Sequence, residues 1–192
     1  MHVAKPGLRA LGIAESYSGR ERSTLAGVVM RKDLLIDGVA FARVTVGGTD
    51  ATDAVIRLVA DLARQDINFL LISGCVIAWY NIIDPAAVQE ATGLPVIVAT
   101  YEESEGLAGE ILHHFPGDAA RLAAYLRLGD RTPIPLHTGY TLFIRPYGIS
   151  PGDAAKLCND FTHEGRVPEP LRVARLIARG LVRSPPCGEV SP

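Results

Sequence analysis

The sequence predicts an α/β fold in which a mixed sheet of five or more strands carries helices on both faces. Two apolar runs of strand length, residues 69–72 and 95–99, support this prediction. Each run is apolar on consecutive residues, which is typical of a parallel strand with helices over both faces. A helical interval separates the runs, as a parallel connection requires. Ligands of open α/β sheets bind beyond the carboxyl ends of the strands, so a site is expected near Ser73-Gly74 and Thr100.

The residues before this central pair indicate three strands and one helix. The three β-rich segments are residues 8–15, 23–35 and 39–46. Asp37-Gly38 between apolar runs is a strong hairpin signal, and the strands are expected to form an antiparallel meander with Glu15 at the end of the first. Thr49 or Asp50 then suits the cap of a helix whose apolar residues recur at helical spacing.

The residues after residue 74 indicate several helices and further strands. Asp84-Pro85 suits the start of a short helix, and Pro133 and Pro135 suit an edge strand. The remaining predicted elements are a helical pair at 102–115 and 118–128, a strand at 140–144, a helix from 150 to 163 and a final helix at 169–183. Four arginines are spread along that last helix, namely Arg172, Arg175, Arg179 and Arg183.

Length and composition predict one domain over residues 1–183, followed by a Pro-rich disordered tail at 184–192. A formal net charge of -2 gives no global field for nucleic acid, although a local basic patch remains open. The 3 cysteines show no paired spacing, so we expect a cytoplasmic protein without a disulfide framework or zinc knuckle. No apolar run approaches the roughly 20 residues that span a bilayer, so no membrane association is expected. The sequence leaves the oligomeric state open.

The predicted order, three antiparallel strands followed by helix, strand, helix and strand, is that of the ribonuclease H-like fold. In that fold, acidic side chains near the first, third and fourth strands hold one or two divalent ions. Such ions need oxygen ligands and stabilise the attacking and leaving oxygens of a phosphodiester. The acidic residues in the corresponding parts of this chain are Glu15, Asp50 and Asp53.

Six segments of the chain resemble the archaeal family known as domain of unknown function ninety-nine, a relative of endonuclease V. These segments are residues 12–16, 27–31, 50–52, 71–84, 93–97 and 168–172, with Ala174, Ile177 and Ala178 after the last. The last segment, Pro-Glu-Pro-Leu-Arg, is the most specific and distinguishes the family from endonuclease V itself. The resemblance covers nearly the whole chain and implies the ribonuclease H-like, endonuclease V-like fold, but no settled biochemical role.

The resemblance to endonuclease V also implies that three catalytic groups are missing. The metal-binding aspartate of its first strand falls on Ala14, the aspartate that ends its central strand falls on Ser73, and its lysine falls in the region Ala99-Thr100. Glu15 can replace the first carboxylate only through a bulge, because adjacent strand residues point to opposite faces. Glu15 with Asp50 and Asp53 is therefore the candidate catalytic set, with Glu15 as the candidate ligand for Mg²⁺ or Mn²⁺.

Four further residues are candidates for binding at the mouth of the site: Ser73, Thr100, Glu169 and Arg172. Glu169 and Arg172 either form a pair at a helix start or, as the resemblance implies, reach the pocket mouth. The four arginines either follow a phosphate backbone or form a solvated helix face. Trp79-Tyr80 either stacks on a base or packs in the core, and the core is the favoured interpretation.

Three functional hypotheses follow. The first is a nucleic-acid-associated protein with an endonuclease V-like fold and a degraded or altered metal site. The second is a non-catalytic protein that binds a small anion or a protein partner in the former active-site cleft. The third is a divergent metal-dependent endonuclease that uses Glu15, Asp50 and Asp53.

Overall fold

The computed structural model describes residues 3, 5–17, 19, 21–104 and 106–184. Its strands are β1 (Arg9–Ser16), β2 (Arg22–Arg31), β3 (Ile36–Thr45), β4 (Phe69–Ser73), β5 (Val76–Ile77), β6 (Asn81–Ile82), β7 (Val96–Thr100), β8 (Thr132–Pro135) and β9 (Thr141–Tyr147). Its helices are α1 (Ala51–Asp61), α2 (Pro85–Thr92), α3 (Ala108–His114), α4 (Ala119–Arg127), α5 (Pro151–Asp160) and α6 (Glu169–Arg183).

Seven strands form one mixed sheet in the order β3-β2-β1-β4-β7-β9-β8. β1, β2 and β3 pair antiparallel, and β1, β4 and β7 pair parallel. β9 and β8 continue the sheet antiparallel, and the proline-containing β8 lies at its edge, where a missing backbone donor is tolerated. The predicted meander, the two central parallel strands and the edge strand are confirmed. A small separate hairpin, β5-β6, was not predicted.

The predicted hairpin of β2 and β3 is present, but the predicted position of its turn, at Asp37-Gly38, is wrong. The chain turns at residues 32–35, where Leu34 has φ 66° and its N–H donates to the Arg31 carbonyl at 2.9 Å. Asp37 lies inside β3, where the register with β2 shifts at a bulge. Its carboxylate accepts from Arg9 at 2.5 Å and Arg64 at 3.1 Å, and hydrogen bonds from these guanidinium groups lower its pKa. These long-range ion pairs hold Asp37 in the strand.

Helices cover both faces of the central strands. Leu11, Ile13, Leu70 and Ile72 belong to a buried cluster that includes residues of α1, α2 and α3. The alternate residues Ala10, Phe69 and Leu71 belong to a second cluster with residues of α5 and α6. Both β1 and β4 are therefore buried on two faces, which is why their apolar residues are consecutive.

α6 is seated directly on β1 at Gly12. A Cβ built on Gly12 would lie 2.5 Å from the carbonyl carbon of Pro170, which is the second residue of α6. Further along the helix, Ala174 packs with Ala14 in a third buried cluster. Small residues on β1 thus allow the backbone of α6 to lie close to the sheet. This packing places the second half of α6 at the carboxyl end of β1.

The predicted helix start at Asp84-Pro85 is confirmed, and the Asp84 side chain accepts from backbone N–H groups of the first turn of α2. Asp118 and Ser150 cap α4 and α5 in the same way. The predicted side-chain cap of α1 is wrong. Asp50 occupies the cap position without capping, and the Asn81 side-chain oxygen accepts from the Ala51 N–H at 3.0 Å instead. A buried amide from the β5-β6 hairpin therefore starts this helix.

The C-terminal tail and the cysteines were also considered from the sequence. The predicted tail falls outside the described residues except for Ser184. Cys75 and Cys158 are buried free thiols, and Cys187 lies outside the described residues. No helix in the described part of the chain is long and apolar enough to cross a membrane.

Candidate functional site

A cleft of about 450 Å³ lies at the carboxyl end of β1. It is lined by Glu15, Ser16 and Tyr17 from the strand and its following loop, and by Arg175, Arg179, Val182 and Arg183 from α6. Tyr17 is 44% exposed. Because strand carboxyl ends are the usual ligand positions in open α/β sheets, this cleft is the candidate site.

Arg175 is fixed in the cleft by contacts with the ends of the central strands. Its guanidinium donates to the Ser73 hydroxyl at 2.9 Å and lies 5.1 Å from the centre of the Tyr101 ring. The Ser73 and Tyr101 hydroxyl oxygens are 3.1 Å apart. Burial raises the pKa of Tyr101, so this phenol is neutral at physiological pH. The cluster therefore places one permanent positive charge at the carboxyl end of β4.

Arg179 and Arg183 continue the positive charge beyond Arg175. Residues four apart lie on one side of a helix, so the three side chains form a row spaced by about 6 Å along the axis. Arg179 and Arg183 are exposed, whereas Arg175 is half-buried. We call these three residues the arginine row. Such a row offers charged donors to successive anionic groups of one ligand.

Arg172, the first of the four arginines along α6, forms a salt bridge with Glu169 of the same helix. Its Nη2 lies 2.6 Å from Glu169 Oε2, and its Nε donates to the same oxygen at 2.8 Å. Glu169 is only 8% exposed, whereas its partner is exposed. The pair at the helix start is thus present, and neither residue lines the cleft.

Glu15 alternates with Ala14 along β1, so the two side chains leave the strand on opposite faces, although Glu15 still lies at the rim of the cleft. The register of β1 with β2 runs without interruption from Arg9 to Ser16, so no bulge shifts Glu15 into the position of Ala14. Its carboxylate accepts a hydrogen bond from Ser23 of β2. Burial raises the pKa of Glu15, and the Ser23 hydrogen bond offsets part of that effect. Glu15 as a metal ligand stays a prediction.

Asp50 and Asp53 do not share this environment. The Asp50 carboxylate accepts from the Thr45 N–H at 3.0 Å and from the Asn81 amide at 2.7 Å. Although burial raises the pKa of Asp50, these hydrogen bonds outweigh it and the pKa is lowered. Asp53 is an exposed residue in the first turn of α1. Asp50 thus joins β3, α1 and the β5-β6 hairpin.

The carboxylates proposed from the fold do not meet at one point. Within the described ranges, no group of three or more His, Cys, Asp or Glu residues is arranged to hold a metal ion. Ala14 and Ser73 supply no carboxylate, and the Ser73 hydroxyl already bonds the Arg175 guanidinium. This donor set does not fit a paired divalent centre, which needs several oxygen ligands.

Thr100 lies in a second, larger cavity of about 840 Å³ at the same edge of the sheet. Arg131 donates to the Thr100 hydroxyl at 3.3 Å and to the Glu102 carbonyl at 2.8 Å. Gly74, at the exit of β4, lines this cavity and has φ 78°. The four residues predicted to bind one ligand, Ser73, Thr100, Glu169 and Arg172, are therefore divided among separate environments.

Two features of the site were missed or misjudged from the sequence. The contact between Arg175 and Ser73 joins residues 102 positions apart, and only the run of arginines hinted at it. Trp79, expected in the core, is 46% exposed, whereas Tyr80 does pack against the core. The continuous apolar run around Trp79 concealed its position in a turn.

Comparison with known proteins gives matches over nearly the whole chain. A family model described as "Endonuclease dU" matches residues 6–182. A "UPF0215 protein" of Pyrobaculum calidifontis is 41% identical over 176 residues, which covers 89% of this chain and 95% of the relative. The "UPF0215 protein TK2033" of Thermococcus kodakarensis is 33% identical over 186 residues, or 93% of this chain and 94% of the relative.

Solved structures share the fold at low sequence identity. A protein of unknown function from Archaeoglobus fulgidus matches with a TM-score of 0.81 and 23% identity, over 92% of this chain and 99% of that one. Human ENDOV matches with a TM-score of 0.67 and 16% identity, over 95% of this chain and 87% of that one. Ciona intestinalis Endonuclease V, in complex with DNA containing an inosine, matches with a TM-score of 0.61 and 15% identity, over 92% and 87%. The endonuclease V-like fold is confirmed.

Proposed function

The chain belongs to the UPF0215 family, which is related to endonuclease V, and from this premise we propose that it binds nucleic acid through the arginine row and has an altered metal centre. The observation that carries the proposal is the anchored guanidinium of Arg175 at the head of this row. The family model bears the name of deoxyuridine, and the Ciona structure holds inosine. Both are products of base deamination, so the substrate class we infer is a strand with a deaminated base, deoxyuridine first.

The charge distribution supports an anionic ligand at this place. The whole chain carries a formal charge of -2, yet the residues that line the cleft include three arginines and a single acidic residue. Guanidinium groups bind phosphates through paired N–H donors, and a row of them can contact successive phosphates of one strand. A local basic row on a nearly neutral protein favours selective binding over general attraction to nucleic acid.

The altered metal centre is supported by the surroundings of Ser73. This residue stands where endonuclease V is expected to have an aspartate, and Arg175 donates to its hydroxyl. A fixed positive charge at that position repels a divalent cation, and the effect is strong where water is partly excluded. The neighbouring position on β1 is Ala14, and the uninterrupted strand register keeps Glu15 on the other face. Hydrolysis by paired metal ions therefore lacks its ligands here.

A binding experiment tests the proposal. Fluorescence anisotropy of short labelled single strands, each with deoxyuridine, inosine or neither, is measured for the wild type over a range of salt concentrations. Three phosphate contacts predict that log K falls with log salt at a slope of about -2, since each contact contributes roughly -0.7 for single strands. The double variant Arg179→Gln/Arg183→Gln should reduce the magnitude of this slope by about 1.4. Arg57→Gln, an exposed arginine on α1, is the matched control.

The same samples distinguish the other hypotheses. Equal affinity for the double variant and the wild type would contradict binding through the arginine row. Cleavage of the deoxyuridine strand with Mg²⁺ or Mn²⁺ would contradict the loss of metal-dependent hydrolysis, and its absence in Glu15→Ala would place the metal centre at Glu15. Binding of inorganic phosphate without binding of any strand would favour the small-anion hypothesis instead.

A further inference from the structure

The turn between β5 and β6 has an unusual backbone. Its three residues, Ala78, Trp79 and Tyr80, have φ values of 41°, 59° and 61°. The left-handed region is rarely adopted by residues other than glycine, and three such residues in succession are rarer still. Strained backbone of this kind persists only where the surroundings fix it, and it is concentrated at ligand-binding sites.

Arg121 of α4 holds this turn through a hydrogen bond to its backbone. It is 7% exposed and donates to the backbone carbonyls of Tyr80, Gly47 and Gly48. The Gly47 N–H in turn donates to the Ala78 carbonyl at 2.7 Å. The strained turn, the loop after β3 and α4 are therefore joined through one buried guanidinium, and the turn cannot relax without breaking these hydrogen bonds.

The fixed turn presents a large aromatic surface to solvent. Trp79 is 46% exposed, although an indole of this size is normally well buried. The His114 ring lies beside it, with the ring centres 4.8 Å apart and an interplanar angle of 55°. Tyr80 meets the indole edge to face at 5.5 Å, and its ring centre lies 5.6 Å from that of His114, so the three rings form one cluster. The neighbouring rings hold the indole in one orientation.

This aromatic surface lies at the same edge of the sheet as the arginine row. A Cβ on Gly47 would lie 3.5 Å from Trp79, so the indole covers the loop that follows β3. β3 runs parallel to β1, because each is antiparallel to β2, and both strands end at this edge. The two features are on opposite faces of this edge, because Ala78 and Tyr80, the neighbours of Trp79, pack in the cluster with α1, whereas the arginine row lies on α6.

We propose that Trp79, supported by His114, is a stacking platform for an unpaired nucleobase of a strand whose phosphates lie on the arginine row. The proposal rests on the proposed function and deepens it by naming the substrate class as single-stranded nucleic acid. Aromatic side chains hold single strands by stacking on base faces that a duplex keeps covered. An exposed indole at the edge of the sheet that also carries the arginine row meets this requirement.

The sequence allows a direct test, because Trp79 is the only tryptophan in the chain. Indole emission therefore reports on this platform alone. Unlabelled single strand is titrated into the wild type while emission is followed, and binding of the same labelled strand is followed in parallel by anisotropy. A duplex of the same sequence and an abasic strand serve as ligands that offer fewer free bases.

The expected result is that single strand quenches the indole over the concentrations at which anisotropy rises, whereas duplex and abasic strand do not. Trp79→Ala should weaken single-strand binding by roughly 5- to 150-fold, the range for loss of one base stack, and Trp79→Phe should weaken it less. Phe41→Ala removes a similarly exposed ring on β3 and should leave affinity unchanged. Unfolding curves of each variant confirm that it is folded.

Failure of the platform and failure of the proposed function give different results. Binding by anisotropy without quenching, with Trp79→Ala equal to the wild type, would overturn the platform and leave the arginine row intact. Equal quenching by duplex would overturn the assignment to single strands. An absence of binding in both measurements would overturn the proposed function and the platform together.

Discussion

Gly12→Ala should lower the free energy of unfolding by about 3 kcal/mol, because the new methyl group would overlap the backbone of α6. The added Cβ would lie 2.5 Å from the carbonyl carbon and Cβ of Pro170, and 2.6 Å from its oxygen. Carbon atoms in contact are about 3.5–4 Å apart, so the helix must move by roughly 1 Å. A helix backbone cannot rotate away as a flexible side chain can, and the displacement loosens the packing of α6 on β1.

Urea unfolding of the wild type and Gly12→Ala measures this loss, and Gly180→Ala is the matched control. Gly180 lies within α6 with no atom near the added Cβ, so alanine should raise the free energy of unfolding by about 0.8–1 kcal/mol through helix propensity. The displaced helix also carries Arg175 away from Ser73, so strand binding should weaken in Gly12→Ala only. A free energy of unfolding within about 0.5 kcal/mol of the wild type would refute the close seating of α6 on β1.

Three further predictions concern the supports of the site. Arg121→Met should lower the free energy of unfolding by about 3 kcal/mol, because it leaves three backbone carbonyls without their donor. It should also shift the fluorescence emission of Trp79. Arg127→Met on the same helix is the control and should have neither effect. Burial raises the pKa of Glu15 in the folded protein, so ionisation of this carboxyl group lowers the free energy of unfolding as the pH rises above about 4.5, its pKa in the unfolded chain. Glu15→Gln cannot ionise and should therefore become more stable relative to the wild type as the pH rises. A difference in unfolding free energy that does not change with pH would contradict this. Asp84→Ala should lower the free energy of unfolding by about 1 kcal/mol through loss of the α2 cap, and an unchanged urea midpoint would show that the cap contributes nothing.

The central part of the fold could be predicted because its signals are local. The apolar runs of β4 and β7 follow from burial on both faces, and α6 follows from helical spacing of its small and apolar residues. The hairpin signal at Asp37-Gly38 is equally local, yet ion pairs with Arg9 and Arg64 override it. Such pairs join residues far apart in the chain, and a single sequence gives no indication of them.

The candidate site was predictable in outline and not in its contacts. The predicted strand end at Glu15 lies at the cleft, whereas the four arginines of α6 were left open between phosphate binding and a solvated helix face. Thr100 lies in a different cavity from the Ser73 contact, where Arg131 donates to its hydroxyl. The exposure of Trp79 depends on the hydrogen bond from Arg121 to the carbonyl of Tyr80, which is 41 residues away in the sequence. Side-chain contacts over such separations decide the chemistry of the site, and periodicity carries no information about them.

The unbroken register between β1 and β2 limits how this site can change during evolution. Sliding β1 by one residue would bring Glu15 to the face of Ala14, but it would also turn Leu11 and Ile13 from their cluster with α1 onto the face where α6 lies close to the strand. An insertion or deletion in the strand therefore cannot place a new carboxylate on the α6 face without disrupting the packing of β1. Only substitution at position 14 itself can supply one there, and a partner carboxylate at position 73 would form an ion pair with Arg175. A pair of carboxylates on the α6 face of this edge therefore requires substitutions at both position 14 and position 73.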